Sequence, residues 1–444
     1  MGISSDAQSR KDRMRTLIDR YYRWNRVTVG DDTSRFVREL SERLQVGVMS
    51  LPTGTPCLTW TVPRKWIVRE AYIETLSGER IADFAWNPLY LNAYSVPFSG
   101  TLSRDEVLKH ISVHPAMEDR LIYLNRWQYH REHTQWGFSV PASVVNRMEE
   151  ETYRVHVDTS FEDGTLDVID WILPGESEDT ILFSAHTCHP GQVNDGIACL
   201  AVLIELFRHL QALPRRQYTY RLILGPEYFA AAAVLAHGKD VKHLKYGFYL
   251  DMMANLLPVS FSRSFHGNSY ADRVTRSVLQ RCEFGRLDVP YRGLYGNDEM
   301  FYDGPGFEIP TVCLSRHPFP YYHTDWDDLQ HCDFEALEES YRMLADIVET
   351  FESDCVPVRA YEGPLYLSGY DLYIDPLVDP KGYSALQAIQ IYMDGNRSLL
   401  DIAELADTSF PFVRGFVDEL CKHGLAIRRD LGEQPARIPE EVLS

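Results

Sequence analysis

Apolar positions along this chain change their period several times, and the changes divide it. From Arg13 to Leu44, the pairs Leu17-Ile18, Tyr21-Tyr22 and Phe36-Val37, with Leu40 and Leu44, predict two amphipathic helices, with Gly30-Asp-Asp-Thr-Ser34 as turn and cap. Pro52-Thr-Gly-Thr-Pro56 breaks that pattern. Between about Trp60 and Glu150 short extended runs take over: Trp66 to Thr75 and Arg80 to Ala85 alternate around Ser77-Gly-Glu79, a hairpin signal. Further strands are expected at Tyr94-Ser-Val-Pro97 and Leu121-Ile-Tyr-Leu124, with a helix between them starting near Ser103. Trp127, Tyr129, Trp136 and Phe138 are expected in the core of this small β-rich part, because large aromatics normally fill cores.

From Tyr153 strands and helices alternate. Arg154 to Asp158 and Leu166 to Ile172 are expected to pair across Glu162-Asp-Gly-Thr165. Ile181 to Ser184, a helix from Ile197 to Leu210, Tyr220 to Leu224, a helix from Ala230 to Ala236, and Tyr246 to Leu250 follow. Such alternation predicts an α/β fold, a mostly parallel mixed sheet flanked by helices, with chemistry at the carboxyl ends of its strands. After a helical pattern from His331 to Phe351, Val356 to Pro380 reads as a Pro/Gly/Tyr-rich connector. Three short helical patterns, Ala385 to Met393, Leu399 to Ala406 and Ser409 to Gly424, followed by Leu425 to Arg429, match a winged helix-turn-helix. The expected division is 1–60, an N-terminal helical part; 61–150, an inserted β-rich domain; 151–355, the main α/β domain; 356–380, a connector; and 381–444, the winged-helix-like domain.

A net charge of -20 disfavours a nucleic-acid surface and docking on anionic membranes. The third C-terminal helix agrees, carrying Asp418 and Glu419 beside Arg414 and Lys422, so a packing role or homo-oligomer contact is expected there. No apolar run approaches bilayer length, and Met1 to Arg15 lacks the apolar core of a signal peptide. The eight cysteines follow no metal or disulfide spacing, which favours reduced thiols in a cytoplasmic protein.

The strand ends carry the chemistry. His186 closes the first strand, Glu227 follows the second and Asp251 closes the third. Asp195 heads the helix after the first strand, and His323 lies in an aromatic, acidic loop. His and Asp are the ligands zinc takes when it keeps a position open for water or substrate. Read alone, Asp195 could equally be an N-cap and His186 a hydrogen-bonded core histidine.

The order of these residues, with His186-Thr-Cys-His-Pro190, Asn194-Asp-Gly196, Gly296-Asn-Asp-Glu-Met-Phe-Tyr-Asp-Gly-Pro-Gly306 and Tyr322-His-Thr324, resembles the co-catalytic zinc aminopeptidases, whose fold glutaminyl cyclases share. It is closest to a bacterial aminopeptidase-like group with an inserted β domain and a C-terminal winged helix. The resemblance implies a zinc-dependent hydrolase of a peptide or small amide. Asp195 would be the central ligand, His186 and Asp251 would complete one metal position, and His323 would belong to a second. Where the family has a Glu-Glu pair, base then ligand, this chain has Glu227-Tyr228. That leaves one zinc with Glu227 as base, the preferred reading, or Glu227 recruited as a ligand, so one ion is expected and two are allowed. Cys188 stands where the family keeps an Asp that orients the first imidazole. Cys188 and His189 are either alternative ligands or a local structural pair turned away by Pro190-Gly191. Asp298 and Glu299, with Tyr322, are candidates for gripping a substrate amino group, against the plainer reading of a solvent-facing loop. Competing hypotheses are a binding or scaffold protein on a decayed peptidase fold, and an enzyme acting on the amide of a small biosynthetic intermediate.

Overall fold

A computed structural model describes residues 2–130, 132–282 and 285–432, so positions 433–444 of the expected C-terminal module lie outside the described residues. The chain forms two compact units: Met1–Asp272 with Cys282–Leu344, and Arg273–Arg281 with Ala345 onward.

The larger unit is built on an eight-stranded sheet. Its strands are β1 (Gly47–Pro52), β2 (Thr165–Leu173), β3 (Thr180–His186), β4 (Thr219–Gly225), β5 (Leu244–Asp251), β6 (Val259–Ser262), β7 (Arg286–Val289) and β8 (Thr311–Ser315), in the order β1-β2-β4-β3-β5-β8-β6-β7. The middle four, β4-β3-β5-β8, are parallel, while β1, β2 and β6 join antiparallel neighbours, so the sheet is mixed. β3 is buried at every position, as expected for a parallel strand covered on both faces. The helix Ala198–Ala212 behind it is buried from Ala198 through Phe207, and the helix Phe229–His237 from Phe229 through Leu235, so both pack as cover layers. Register aligns the carboxyl ends: His186 lies opposite Gly225, two residues before Glu227, and Asp251 lies opposite Ser315.

The N-terminal helices run Gly2–Tyr21 and Asp31–Leu44; the first begins well ahead of Arg13, and Gly30 alone is the N-cap of the second. A separate antiparallel sheet has the order Arg80–Asp83, Lys65–Thr75, Thr152–Glu162, Phe98–Ser103. The hairpin and the helix after Ser103 form as their patterns predict, the latter with the Ser103 hydroxyl accepting the Glu106 N–H. Three expectations change. Arg154–Asp158 does not pair with Leu166–Ile172: the first is flanked on both sides by strands of the small sheet and the second by β1 and β4, so the small sheet runs to Glu162, past the expected boundary at 150. Tyr94–Pro97 is no strand, Tyr94 having left-handed φ of 66°. Leu121–Leu124 contributes one bridge, Ile122 to Thr324, which ties this region to the His323 loop. Trp136 and Phe138 are buried in the small core as expected, but Tyr129 is 37% exposed and points elsewhere.

The second unit holds the helices Pro380–Tyr392, Leu399–Leu405 and Phe410–Lys422, and a two-stranded antiparallel ladder of Val356–Arg359 with Ala426–Arg429. Ser398 and Asp401 make a reciprocal capping box, and Leu386, Ile389, Leu400, Val413 and Leu420 form its interior. Three basic residues of its last helix and strand are matched by acids, Arg414 with Glu349, Lys422 with Glu419 and Arg428 with Asp418, while Arg429 donates to the Gly395 carbonyl. Among the described residues no helix is long and apolar enough to cross a membrane.

Candidate metal centre

The loop leaving β3 is shaped from beneath by a buried arginine. The Arg26 guanidinium donates to the carbonyls of Thr187, Cys188, His189 and Gln192, gathering the segment into a tight turn; burial lowers its pKa only to about 10, so it stays charged. The turn closes at Gly196, with φ of 118°, where a Cβ would sit 2.9 Å from the His186 ring and 3.0 Å from the Cys188 carbonyl. Only glycine lets Asp195 come this close to His186. Asp327 then accepts the N–H groups of Asn194 and Asp195 at 2.6 and 2.9 Å, and the Asn194 side chain accepts the Ala254 N–H beyond β5. Asp195 caps no helix here; the helix proper begins at Ala198 with Ile197 as its cap residue.

The other three predicted metal residues, His186, Asp251 and His323, gather around Asp195. One of its oxygens is 3.1 Å from His186 Nε2, which is itself 3.3 Å from Asp251 Oδ1. The other oxygen is 3.2 Å from His323 Nε2. Zinc bonds of about 2.1 Å at tetrahedral angles separate neighbouring donor atoms by about 3.4 Å, so these spacings suit a shared ion. Asp195 Oδ2 and His323 Nε2 are both shielded from solvent, yet neither has a hydrogen-bond partner among the described residues. Two facing polar atoms that close, aligned for no bond with each other, fit a cation between them. Burial works against the Asp195 charge, but His189, His186 and His323 hold its pKa well below the carboxylate range. Burial also opposes charge on His186, and Asp195 and Asp251 outweigh it. The pocket therefore favours positive charge among its carboxylates, which a divalent ion supplies.

His189 joins them, although the Pro190-Gly191 turn suggested otherwise. Its ring centroid is 4.8 Å from that of His186 and 5.2 Å from that of His323, and it is 2% exposed. Its signal in the sequence was its place three residues after His186 in the same loop. Cys188 lies between the two rings, its sulfur 3.7 Å from His186 Nδ1 and 3.2 Å from His189 Nδ1, and accepts the Glu227 N–H at 3.3 Å. A thiol thus sits where a carboxylate would orient the imidazole, as a weaker acceptor.

Glu227 stands just outside this set. Its Oε1 accepts from Asn297 Nδ2 at 2.9 Å, Tyr129 O–H donates to its Oε2 at 3.4 Å, and His189 Nε2 is 4.0 Å away. Burial pushes its pKa up to about 7. No sequence pattern points to Asn297 at this carboxylate, and Tyr129, expected in the core, reaches it instead. Tyr228, with φ of 62°, turns its ring toward Trp60 and Phe301, and its hydroxyl donates to the Gly296 carbonyl.

The proposed amine-binding acids have a different setting from the one expected. Asp298 and Glu299 are buried, so their loop does not face solvent. Asp298 accepts the Tyr228 N–H at 2.6 Å, and Glu299 accepts the Asn297 N–H with both oxygens. Burial raises them to about 8 and about 7, and both carboxyls accept backbone N–H groups that brace the loop. Tyr322 does face outward, 46% exposed and stacked 3.9 Å from the His323 ring.

Residues 15–354 match the family described as domain of unknown function DUF4910. The chain belongs to this family. A Clostridium acetobutylicum protein, named for polysaccharide biosynthesis with an aminopeptidase-like domain, is 27% identical to this DUF4910 chain over 423 residues, covering 91% of it and 94% of the relative. A Clostridium acetobutylicum crystal structure assigned as a peptidase superposes with a TM-score of 0.86 at 24% identity, over 96% of this chain and 99% of that one. The zinc aminopeptidase from Bacillus subtilis superposes with a TM-score of 0.54 at 13% identity, over 78% and 94%. The DUF4910 chain therefore has the zinc aminopeptidase fold, with its imidazole and carboxylate cluster at the carboxyl edge of the sheet.

Proposed function

We propose that this protein is a metal-dependent amide hydrolase of the aminopeptidase type. The observation that carries the reading is Asp195, whose two oxygens face different imidazoles while Glu227 waits beside them, held by Asn297. His186, Asp195, Asp251 and His323 would hold the metal, zinc by the chemistry of the donors. Zinc bound there supplies a Lewis acid that polarises a carbonyl and acidifies water.

The chain's own residues supply the rest. Glu227, with a pKa near 7, is poised to take a proton from the attacking water and return it to the leaving amine. Asn297 fixes the carboxylate by Oε1, while Oε2, beside His189 and held by a long 3.4 Å bond from Tyr129, is the oxygen that takes the proton. A cavity of about 400 Å³ is lined by Trp60, Tyr129 and Phe229 with Thr59, Thr61 and Gln128, and it is linked to Glu227 through the Tyr129 hydroxyl; its aromatic wall suits a substrate body. Flat aromatic faces also suit sugar rings, and the relative's name mentions polysaccharide biosynthesis, which favours a second reading in which the amide is carried on an amino sugar. A scaffold role gives no reason for a base with a near-neutral pKa aimed at the cluster.

The test is hydrolysis by the zinc-reconstituted protein of aminoacyl amides and N-acyl amino sugars, scored by amine release. The expected outcome is turnover that falls about 10²–10⁴-fold in Glu227→Gln with zinc content unchanged. Equal turnover in that variant removes Glu227 as base, and no turnover on either panel favours the scaffold.

A further inference from the structure

Tyr228 stands where the aminopeptidase pattern calls for a second carboxylate, and its ring is turned into the Trp60 and Phe301 cluster. We infer that His189 replaces that carboxylate, so that His189, Asp195 and His323 form a second metal position sharing Asp195 with the first. The inference rests on the metal-centre reading above.

Three observations carry it. A ring nitrogen of His189, an oxygen of Asp195 and a ring nitrogen of His323 all lie within 4.8 Å of one another, as do the donors of His186, Asp195 and Asp251. The two triads meet at Asp195, whose buried Oδ2 is the oxygen on the His323 side and has no hydrogen-bond partner among the described residues. His189 is also built to face inward. Its backbone has left-handed φ of 77°, a conformation costly for a side chain this size, and Arg26 holds it there through the His189 carbonyl at 3.0 Å. Cys188 Sγ lies 3.2 Å from His189 Nδ1 and 3.7 Å from His186 Nδ1, so both rings turn their Nε2 edges toward carboxylates, that of His186 toward Asp195 and that of His189 toward Glu227. A purely structural histidine would need neither the strained backbone nor the shared partner.

The exchange has a chemical consequence. The first position offers one imidazole and two carboxylates; the second offers two imidazoles and one carboxylate, with less negative charge. Nitrogen-rich donors favour zinc and cobalt over manganese and magnesium, so the second position binds more weakly and excludes the harder ions.

Zinc stoichiometry of the full chain, after dialysis against buffered free zinc, tests this. The expected result is two zinc ions per chain, falling to one in both His189→Ala and His189→Gln with the far-ultraviolet circular dichroism spectrum unchanged. Two ions retained in the variants, or one ion in both wild type and variants, overturns the second position and leaves the single-metal reading standing. No zinc in the wild type overturns both. Cobalt(II) titration of the unsubstituted chain gives a readout independent of any variant's folding. Coupling through Asp195 lowers the paramagnetic resonance intensity per ion at the second equivalent, whereas intensity that stays additive overturns the shared site.

Discussion

Two sets of buried acids border the carboxyl edge of the sheet, and burial has opposite outcomes in them. Around Asp195 the partners are imidazoles: His186 and His323 each approach within 3.2 Å, and the carboxylate is held well below its ordinary range. In the 296–303 loop the partners are backbone N–H groups, and Asp298 and Glu299 rise to about 8 and 7. Desolvation is the first cause in both places, so the partner decides whether a buried acid becomes a cation site or a neutral brace. Glu227 sits between them, tied to the brace through Asn297 and facing the cation site through His189.

The largest effect that would break this contrast comes from Asp195→Asn, which takes charge from both imidazoles. Zinc retention at micromolar free zinc and all amide hydrolysis should be lost, as read by metal analysis and amine release. Next is Asn297→Ala. Its amide stabilises the charged form of Glu227, so removal raises the Glu227 pKa and costs about 10–100-fold in kcat/KM. In the wild type kcat/KM should fall below about pH 7, where the base takes up its proton; in the variant that acid limb should move to higher pH, and an unmoved limb would detach Asn297 from the base.

Much of this arrangement is legible in the residues alone. The continuous apolar runs of β3, β4 and β5 give a buried parallel sheet, and their ends deliver His186, Glu227 and Asp251 to one edge. What is not legible depends on distant partners. The orientation of His189 is imposed by Arg26, from the turn between the first two helices, and no local pattern announces it. The strand Thr152–Glu162 looks continuous with the main domain, but the side it pairs on is fixed by Lys65–Thr75, far back in the chain. Asn297 reads as a turn residue, and its link to Glu227 exists only once the β4 end and the 296–303 loop meet.

Smaller effects sharpen the neutral side of the contrast. The Asp298 pKa is about 8 folded against about 4 unfolded, so its stabilising contribution is complete below about pH 4 and is lost as pH rises toward 8. Asp298→Asn keeps the oxygen that accepts the Tyr228 N–H and removes that loss. Melting temperature should rise by a few degrees (about 2–4 °C) at pH 8 and hardly change at pH 4. A fall at pH 8 would mean that the carboxyl is charged in the folded state. Smallest of all, Tyr322→Ala removes the stacked cover of His323 and should raise KM by about two- to fivefold, or about 0.4–1 kcal/mol, with kcat nearly unchanged.

Anomalous diffraction at the zinc edge, from crystals of the full chain grown with zinc, tests the central claim most directly. The account predicts a peak beside Asp195, about 2.0–2.2 Å from His186 Nε2 and from a carboxylate oxygen of Asp251. Zinc bound only elsewhere on the protein, with His186 still hydrogen-bonded to Asp251, would contradict it.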